Sequence, residues 1–466
     1  MPHAFSALAN HTFRAISANR KLSMKKHDVA VVRFDKPLES VRRAVELSRG
    51  LRHLLAQARV FIKPNIMFWT RAVTFPKWGV ITTSRVLEDM VLLLKEHGIE
   101  DITIGEGTVT LNPWDTETPA HAFATLGYGV LRRKFGVKIV NVFERPFKKV
   151  DLGGGFQMSF NMDALESDFI VNLPVMKCHN QTIVSLGIKN LKGLIDIPSR
   201  KRCHSMTPGR DLHAWIARLA DRMPPMFTLI DGIYTNARGP GFDGKIRRSN
   251  ILVASADILS ADLVGAKILG HDPAHVPYLA QVAHHRGRPT DLSDIEVVGE
   301  NVENVACHHE YDFQYSATDE GCLPVPLAKA GLKGIFYRKY DLSMCTYCSG
   351  INGIMLSAIR HAWKGKPWDR VEVLTGKSMQ PTPGMQKTIL VGKCMYTAHK
   401  KNPAIRQLIA VKGCPPEPME LLSALRQAGI EAESSWFEKM DQLPGLFMAR
   451  YTNRPEFEEG YFHVEE

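Results

Sequence analysis

Short β-branched runs alternate with longer helical stretches from Asp28 to about Glu300, and no other feature limits the fold of this chain as strongly. The runs are VAVVRF, ARVFIKPNI, DITIGEG, KIVNVF, FIVNLPVMK, MFTLIDGI, NILVASAD and IEVVGE. Amphipathic segments lie between several of them. SRVLEDMVLLLKEHG is one, and it closes on Gly98, the residue type that most readily takes a left-handed helix terminus. Alternating strands and helices argue for an α/β fold with a largely parallel sheet. That expectation covers residues 28–300. Residues 301–335 lose the pattern and read as a linker or irregular excursion. Residues 336–466 repeat it on a smaller scale through VEVLTGK, TILVGKC and LIAVKGC, with helices expected after Cys348 and after Cys414.

The chain has 466 residues, more than one ordinary core, so two domains are expected. A hydrophobic content of 44% with 23% charged residues is globular, and no apolar run is long enough to span a bilayer. A cytoplasmic protein without membrane contact is the expectation. The net charge of +11 raises the question of polyanions. The basic residues are spread widely, with no dense basic block interleaved with aromatics, so a nucleic-acid partner is not expected. Residues 1–27 carry Arg, Lys and Ser but no acid, a partial transit-peptide composition. They read as a tail or an upstream start, because Met24 directly precedes the first strand-like sequence.

Eight cysteines are too few for a disulfide scaffold of this length. Four of them stand apart: Cys345 and Cys348 in MCTYCSG, Cys394 in VGKCM and Cys414 in KGCPPEP. Cys394 and Cys414 each follow an apolar run and a glycine, which places them where strands end. Ligands of open α/β sheets gather outside the carboxyl ends of strands, so one crevice can collect all four thiols. A 4Fe–4S cluster suits a close pair with remote ligands, and Pro415 follows Cys414 as a proline follows the last cysteine of many ferredoxin motifs. Structural zinc is the alternative, although all-thiolate zinc sites usually pair two C-x-x-C knuckles. Cys178, Cys203, Cys307 and Cys322 lack ligand spacing and read as small buried hydrophobes. The CHH of Cys307, His308 and His309 lacks a second ligand pair.

Polar residues recur at the ends of the earlier runs. Lys63 and Asn65 follow one strand in IKPN, Lys177 and His179 another in LPVMKCHN, and GIKNLKG brings Lys189, Asn190 and Lys192 together. Glu106 ends DITIGEG, and Asp231 lies in LIDG. Lysines and a histidine at neighbouring strand ends would form a cationic pocket for a carboxylate or phosphate. The GPGFDG loop lacks a phosphate-loop pattern and reads as a tight turn. Asp257 is expected to cap a helix, and a magnesium role for Asp257 or Asp262 has little support.

The KPN segment, LPVMKCH with GIKNLKG, the Asp231–Gly244 stretch and SADILSAD together resemble the DUF362 family over about residues 29–300. Members of that family often carry an iron–sulfur module after the shared domain, which implies one cluster at the four cysteines. The commonest form has paired C-x-x-C-x-x-C repeats, and this chain lacks them. The resemblance assigns no activity. The resulting expectation is a cytosolic iron–sulfur protein, a redox enzyme acting on a small anion. Lys63, Asn65, Lys189, Asn190, Lys192, Glu106 and Asp231 are the expected binding residues. His179, with a pKa near neutrality, and Lys177 are the expected catalytic pair. The alternatives are a non-catalytic electron carrier docking to a redox partner protein by its basic surface, and a zinc-stabilised enzyme without redox chemistry.

Overall fold

The computed structural model describes residues 26–107, 114–464 and 466, so nearly all of the 1–27 segment lies outside the described residues. Every one of the eight runs between Asp28 and Glu300 forms at least one strand. They join one large sheet in the order Ile295–Gly299, His27–Arg33, Lys245–Ser255, Met226–Ala237, Phe169–Asn172, Val60–Lys63, Ile102–Glu106, Lys138–Asn141. Val175–His179 pairs with Met226–Ala237 and carries the short strand Ile183–Ser185. Pairing is mostly parallel, as expected. The exceptions are Ile183–Ser185, antiparallel to Val175–His179, and Lys245–Ser255, antiparallel to both of its neighbours. Only the GPGFDG turn separates it from Met226–Ala237, too short a link for a parallel crossover.

Both faces of this sheet are covered, and the alternation of side chains shows it. Ala30, Val32, Ile62, Val171, Leu229 and Leu252 pack into one core layer. Val29, Val31, Phe61, Ile170, Ile230 and Val253 pack into the opposite one. That is why the strands read as continuous apolar runs. The helix Ser84–Glu96 is capped by Thr83, whose side chain accepts from Val86 N, and Gly98 beyond it has φ +83°. Asp257 caps Ile258–Ile268 as expected.

A second sheet has its strands in chain order: Tyr315–Thr318, Gly321–Pro324, Ile335–Tyr337, Val371–Leu374, Lys387–Val391, Gln407–Val411. Only the first pair is antiparallel. The second unit thus begins inside the stretch expected to be a linker, whose strands are only three or four residues long. Its end is displaced too. Tyr451, Phe457, Phe462 and Val464 pack into a core layer of the first sheet with Trp78 and Tyr234. Residues 443–464 therefore strap the small unit back onto the large one, which no periodicity announces.

Candidate functional site

The strand-end residues divide into two groups. In the first, Lys63 is fully buried, and its ammonium donates to Glu106 Oε2 at 2.7 Å, Pro64 O at 2.6 Å and Asn190 Oδ1 at 3.3 Å. Glu106 also accepts from Ile66 N and Gly107 N. Asn190 Nδ2 donates to Asn172 Oδ1 at 2.8 Å and Lys63 O at 3.2 Å, while Asn65 Nδ2 donates to Asn190 Oδ1 at 3.0 Å. Lys177, also buried, donates to Asn65 Oδ1 at 2.6 Å and Val80 O at 2.8 Å. Gly193 is required here: a Cβ would lie 2.5 Å from Glu106 Oε1 and 2.7 Å from Lys63 Nζ. Burial pushes Lys63 below the ordinary lysine range, opposed by Glu106, and pushes Lys177 down to about 7.

Within this network Lys63, Asn65, Glu106, Asn190 and Lys177 bond one another or nearby backbone. Asp231 bonds to backbone. It accepts from Thr83 N and Ile233 N, and burial pushes its carboxyl up to about 6. Asp262 clasps the amides of Gly187 and Ile188 at 2.6 and 2.9 Å, fixing the turn that carries Lys189. Magnesium is needed for neither Asp257 nor Asp262.

The second group is basic. Lys189 and Lys192 are partly exposed, and neither has an ion-pair partner among the described residues. Desolvation drives Lys189 well below its ordinary value, and Lys192 and Lys177 add to it; no carboxylate opposes them among the described residues. Lys192 Nζ lies 3.0 Å from His204 Nε2, and His204 Nδ1 lies 2.8 Å from Leu342 O. A carbonyl only accepts, so the His204 proton sits on Nδ1 and Nε2 accepts from the lysine. His179 Nδ1 accepts from Gln181 N at 3.1 Å, which leaves a neutral ring its proton on Nε2. Desolvation first, then Lys189 and Lys192, hold His179 far below its usual pKa. Arg200 donates to Gly193 O at 2.7 Å and Gly107 O at 3.1 Å and caps the Phe143 ring.

Cys345, Cys394 and Cys414 all lie near enough to Cys348 for their charges to act on it. Cys345 precedes the helix Thr346–Ala362 and Cys348 lies in its first turn. Cys394 lies in the first turn of Gly392–His399, directly after a strand, and Cys414 follows the strand Gln407–Val411. Gly392, at φ +87°, passes so close that a Cβ would lie 3.3 Å from Cys348 Sγ. Lys393 N donates to Gly413 O and ties the Cys394 and Cys414 segments together. The Cys348 thiol is pushed up by Cys345 and burial, with Cys394 and Cys414 adding to it; Cys345 is pushed down to about 5 by the hydrogen bond from Cys348. Lys201 Nζ lies 3.5 Å from Cys414 Sγ. Among the described residues no three His, Cys, Asp or Glu side chains close on a point as a single metal ion requires. Of the remaining cysteines, Cys178 and Cys203 are buried as expected, whereas Cys307 is exposed beside Arg247.

The cysteine face and the cationic recess adjoin. Gln181, two residues beyond His179, donates to Asp341 O at 2.8 Å and Met344 O at 3.0 Å. Lys377 donates to Lys201 O at 3.2 Å and to His204 O. Lys192 is close enough to Cys345 to feel its charge. Sequence reasoning missed Arg200, Lys201, His204 and Lys377. The basic run SRKRCH signals the first three, and Lys377 follows a strand as Cys394 and Cys414 do.

Fold and site together define an α/β protein of two large sheets and a two-stranded one, in which a cluster of basic residues adjoins the cysteine-bearing segments. Residues 60–267 match the family model described as a domain of unknown function, DUF362. The thylakoid-associated protein sll1697 of Synechocystis sp. is 26% identical over 252 residues, which cover 52% of this chain and 73% of that protein. Two solved structures show weaker likeness. A Thermotoga maritima protein has a TM-score of 0.33 at 12% identity, covering 76% of this chain and 73% of its own. The lactate racemase apoprotein of Thermoanaerobacterium thermosaccharolyticum has a TM-score of 0.34 at 13% identity, covering 91% and 82%. Likenesses at this level carry no argument about function. Among the described residues no helix is long and apolar enough to cross a membrane.

Proposed function

We propose that this chain is an iron–sulfur redox protein that holds a small anion in the recess of Lys189, Lys192 and His179. The observation that carries the reading is the pair Lys189 and Lys192, partly exposed and without an acid partner among the described residues, beside the segments that bear Cys345, Cys348, Cys394 and Cys414. Buried cations without partners are costly, and a bound anion is the simplest compensation. The donor set suits a 4Fe–4S cluster held by Cys345, Cys348, Cys394 and Cys414. Zinc needs all four sulfurs about 2.3 Å from one point, whereas a cluster spreads them over separate irons. When bound, the cluster would supply or accept single electrons.

The chain's own residues have distinct parts. Lys189 and Lys192 would bind the anion's charge, His204 would orient Lys192, and His179 would donate a proton or hydrogen bond from Nε2. Lys177 would hold the strand end beneath them. A cytoplasmic location remains the proposal. The test is iron, sulfide and EPR analysis of anaerobically prepared protein, wild type against Cys394→Ser with Cys414→Ser. About four irons per chain, lost in the double variant, is the expected outcome. A colourless protein with stoichiometric zinc would overturn it.

A further inference from the structure

The segments that carry Cys394 and Cys414 also carry lysines without acid partners. Lys393, Lys400, Lys401 and Lys412 are exposed and have no ion-pair or hydrogen-bond partner for their side chains among the described residues. Lys400 and Lys412 both lie over the ring of Tyr396, two residues beyond Cys394, at 6.0 and 5.0 Å. Lys201 stacks over Tyr347 at 4.7 Å and reaches Cys414 without an acid partner. Cys394 and Cys414 are themselves exposed, Cys394 next to Lys393 and Cys414 two residues beyond Lys412. The nearest acids along the chain are Glu417 and Glu420, on and before the helix Pro418–Gln427. Elsewhere on the surface lysines and arginines are commonly paired, as Lys26 with Glu296 and Arg42 with Glu96.

We infer that this face docks an acidic electron-transfer protein, an inference that rests on the cluster reading above. Exposed lysines without acid partners on the segments that carry exposed cysteines give a partner both orientation and a fast, salt-sensitive encounter. Leu408 and Met419, 37% and 46% exposed, would supply apolar contact of the kind that accompanies such a rim. The chemistry on docking is one electron leaving the partner, whose centre is oxidised, and entering the cysteine-held centre, which is reduced; no bond is made or broken. An anionic membrane is the competing partner, but the face lacks the amphipathic helix with Trp, Phe and Leu that interfacial binding uses.

The probe is an acidic plant-type ferredoxin, measured by calorimetry against the full-length protein at low and high salt, with basic cytochrome c as a control. We expect saturable binding of the ferredoxin, weakened at high salt, and none of the cytochrome. Lys393→Glu, Lys400→Glu and Lys412→Glu combined should weaken it about tenfold or more. Arg43→Glu, on the helix Glu39–Leu47 of the large unit, should leave it unchanged. Iron and sulfide content and dithionite reduction should be the same in all variants. Equal binding by the triple variant overturns the proposal, as does triple-variant-sensitive binding to phosphatidylglycerol vesicles without ferredoxin binding. Salt-sensitive ferredoxin binding by a protein without iron would keep the surface and sink the cluster.

Discussion

Two lysines distant in the chain, Lys63 and Lys189, come near each other through Asn190 and obey opposite rules. Lys63 is closed within a network of Glu106, Asn190 and backbone oxygens, so its charge is spent on holding strand ends together. Lys189 sits on a turn clasped by Asp262, faces other cations, and has no carboxylate to answer it. In sequence both are lysines after apolar runs. The lesson is that a lysine's role at a strand end is decided by whether an acid reaches it, more than by where it sits. Asn190 shows the same point from inside one motif. It turns inward to Lys63 and Asn172, while Lys189 before it and Lys192 after it keep access to solvent.

The largest expected effect tests the closed member. Glu106→Gln leaves the Lys63 ammonium buried without its counter-charge and should cost about 3 kcal/mol, read from the urea midpoint. Pairing Lys63→Met with Glu106→Leu should recover much of that loss, since removing both charges removes the unpaired one. Equal losses in single and double variants would break the distinction between the two lysines.

Lys189→Met tests the open member. Stability should change by no more than about 1 kcal/mol, in the stabilising direction, because a desolvated cation without an acid is removed. Affinity for phosphate or succinate should fall about tenfold, or about 1.4 kcal/mol. Destabilisation comparable to Glu106→Gln, with anion affinity intact, would place Lys189 in the same class as Lys63.

The smallest effect sharpens the contrast through pH. Burial and its cationic neighbours hold Lys189 below the ordinary lysine range, and a bound anion favours the charged form. Binding should therefore take up a proton in the window between the depressed and the ordinary value, so affinity weakens as pH rises through it. Calorimetry in two buffers of different ionisation enthalpy reads that uptake directly. A pH-independent affinity with no proton uptake would mean that the recess is already fully charged.

The legible parts were those with local signals. Eight apolar runs gave strands because both sheet faces are covered and each strand is hydrophobic throughout. Asp257 and Gly98 marked helix ends because capping depends on residues within a few positions. The cysteine positions at strand ends were legible for the same reason. The helix Gly392–His399 was not, since KCMYTAHK is too short to show a clear period. Residues 301–335 hid two short strands of the second sheet and the start of a third, since strands of three or four residues have no pattern of their own.

By itself the sequence determined that this is an α/β protein with a mostly parallel large sheet, and that Lys63, Glu106 and His179 would lie at strand ends. Both follow from local periodicity and from the rule that parallel sheets expose their carboxyl edges to ligands. Only tertiary structure decided which strand-end residues were silenced and which left free. Glu106 comes from a different strand than Lys63, forty-three positions along the chain. The return of residues 443–464 onto Trp78 and Tyr234 was decided the same way. Charge pairing and burial are long-range facts, set by which elements the fold brings together, and residue spacing carries no record of them.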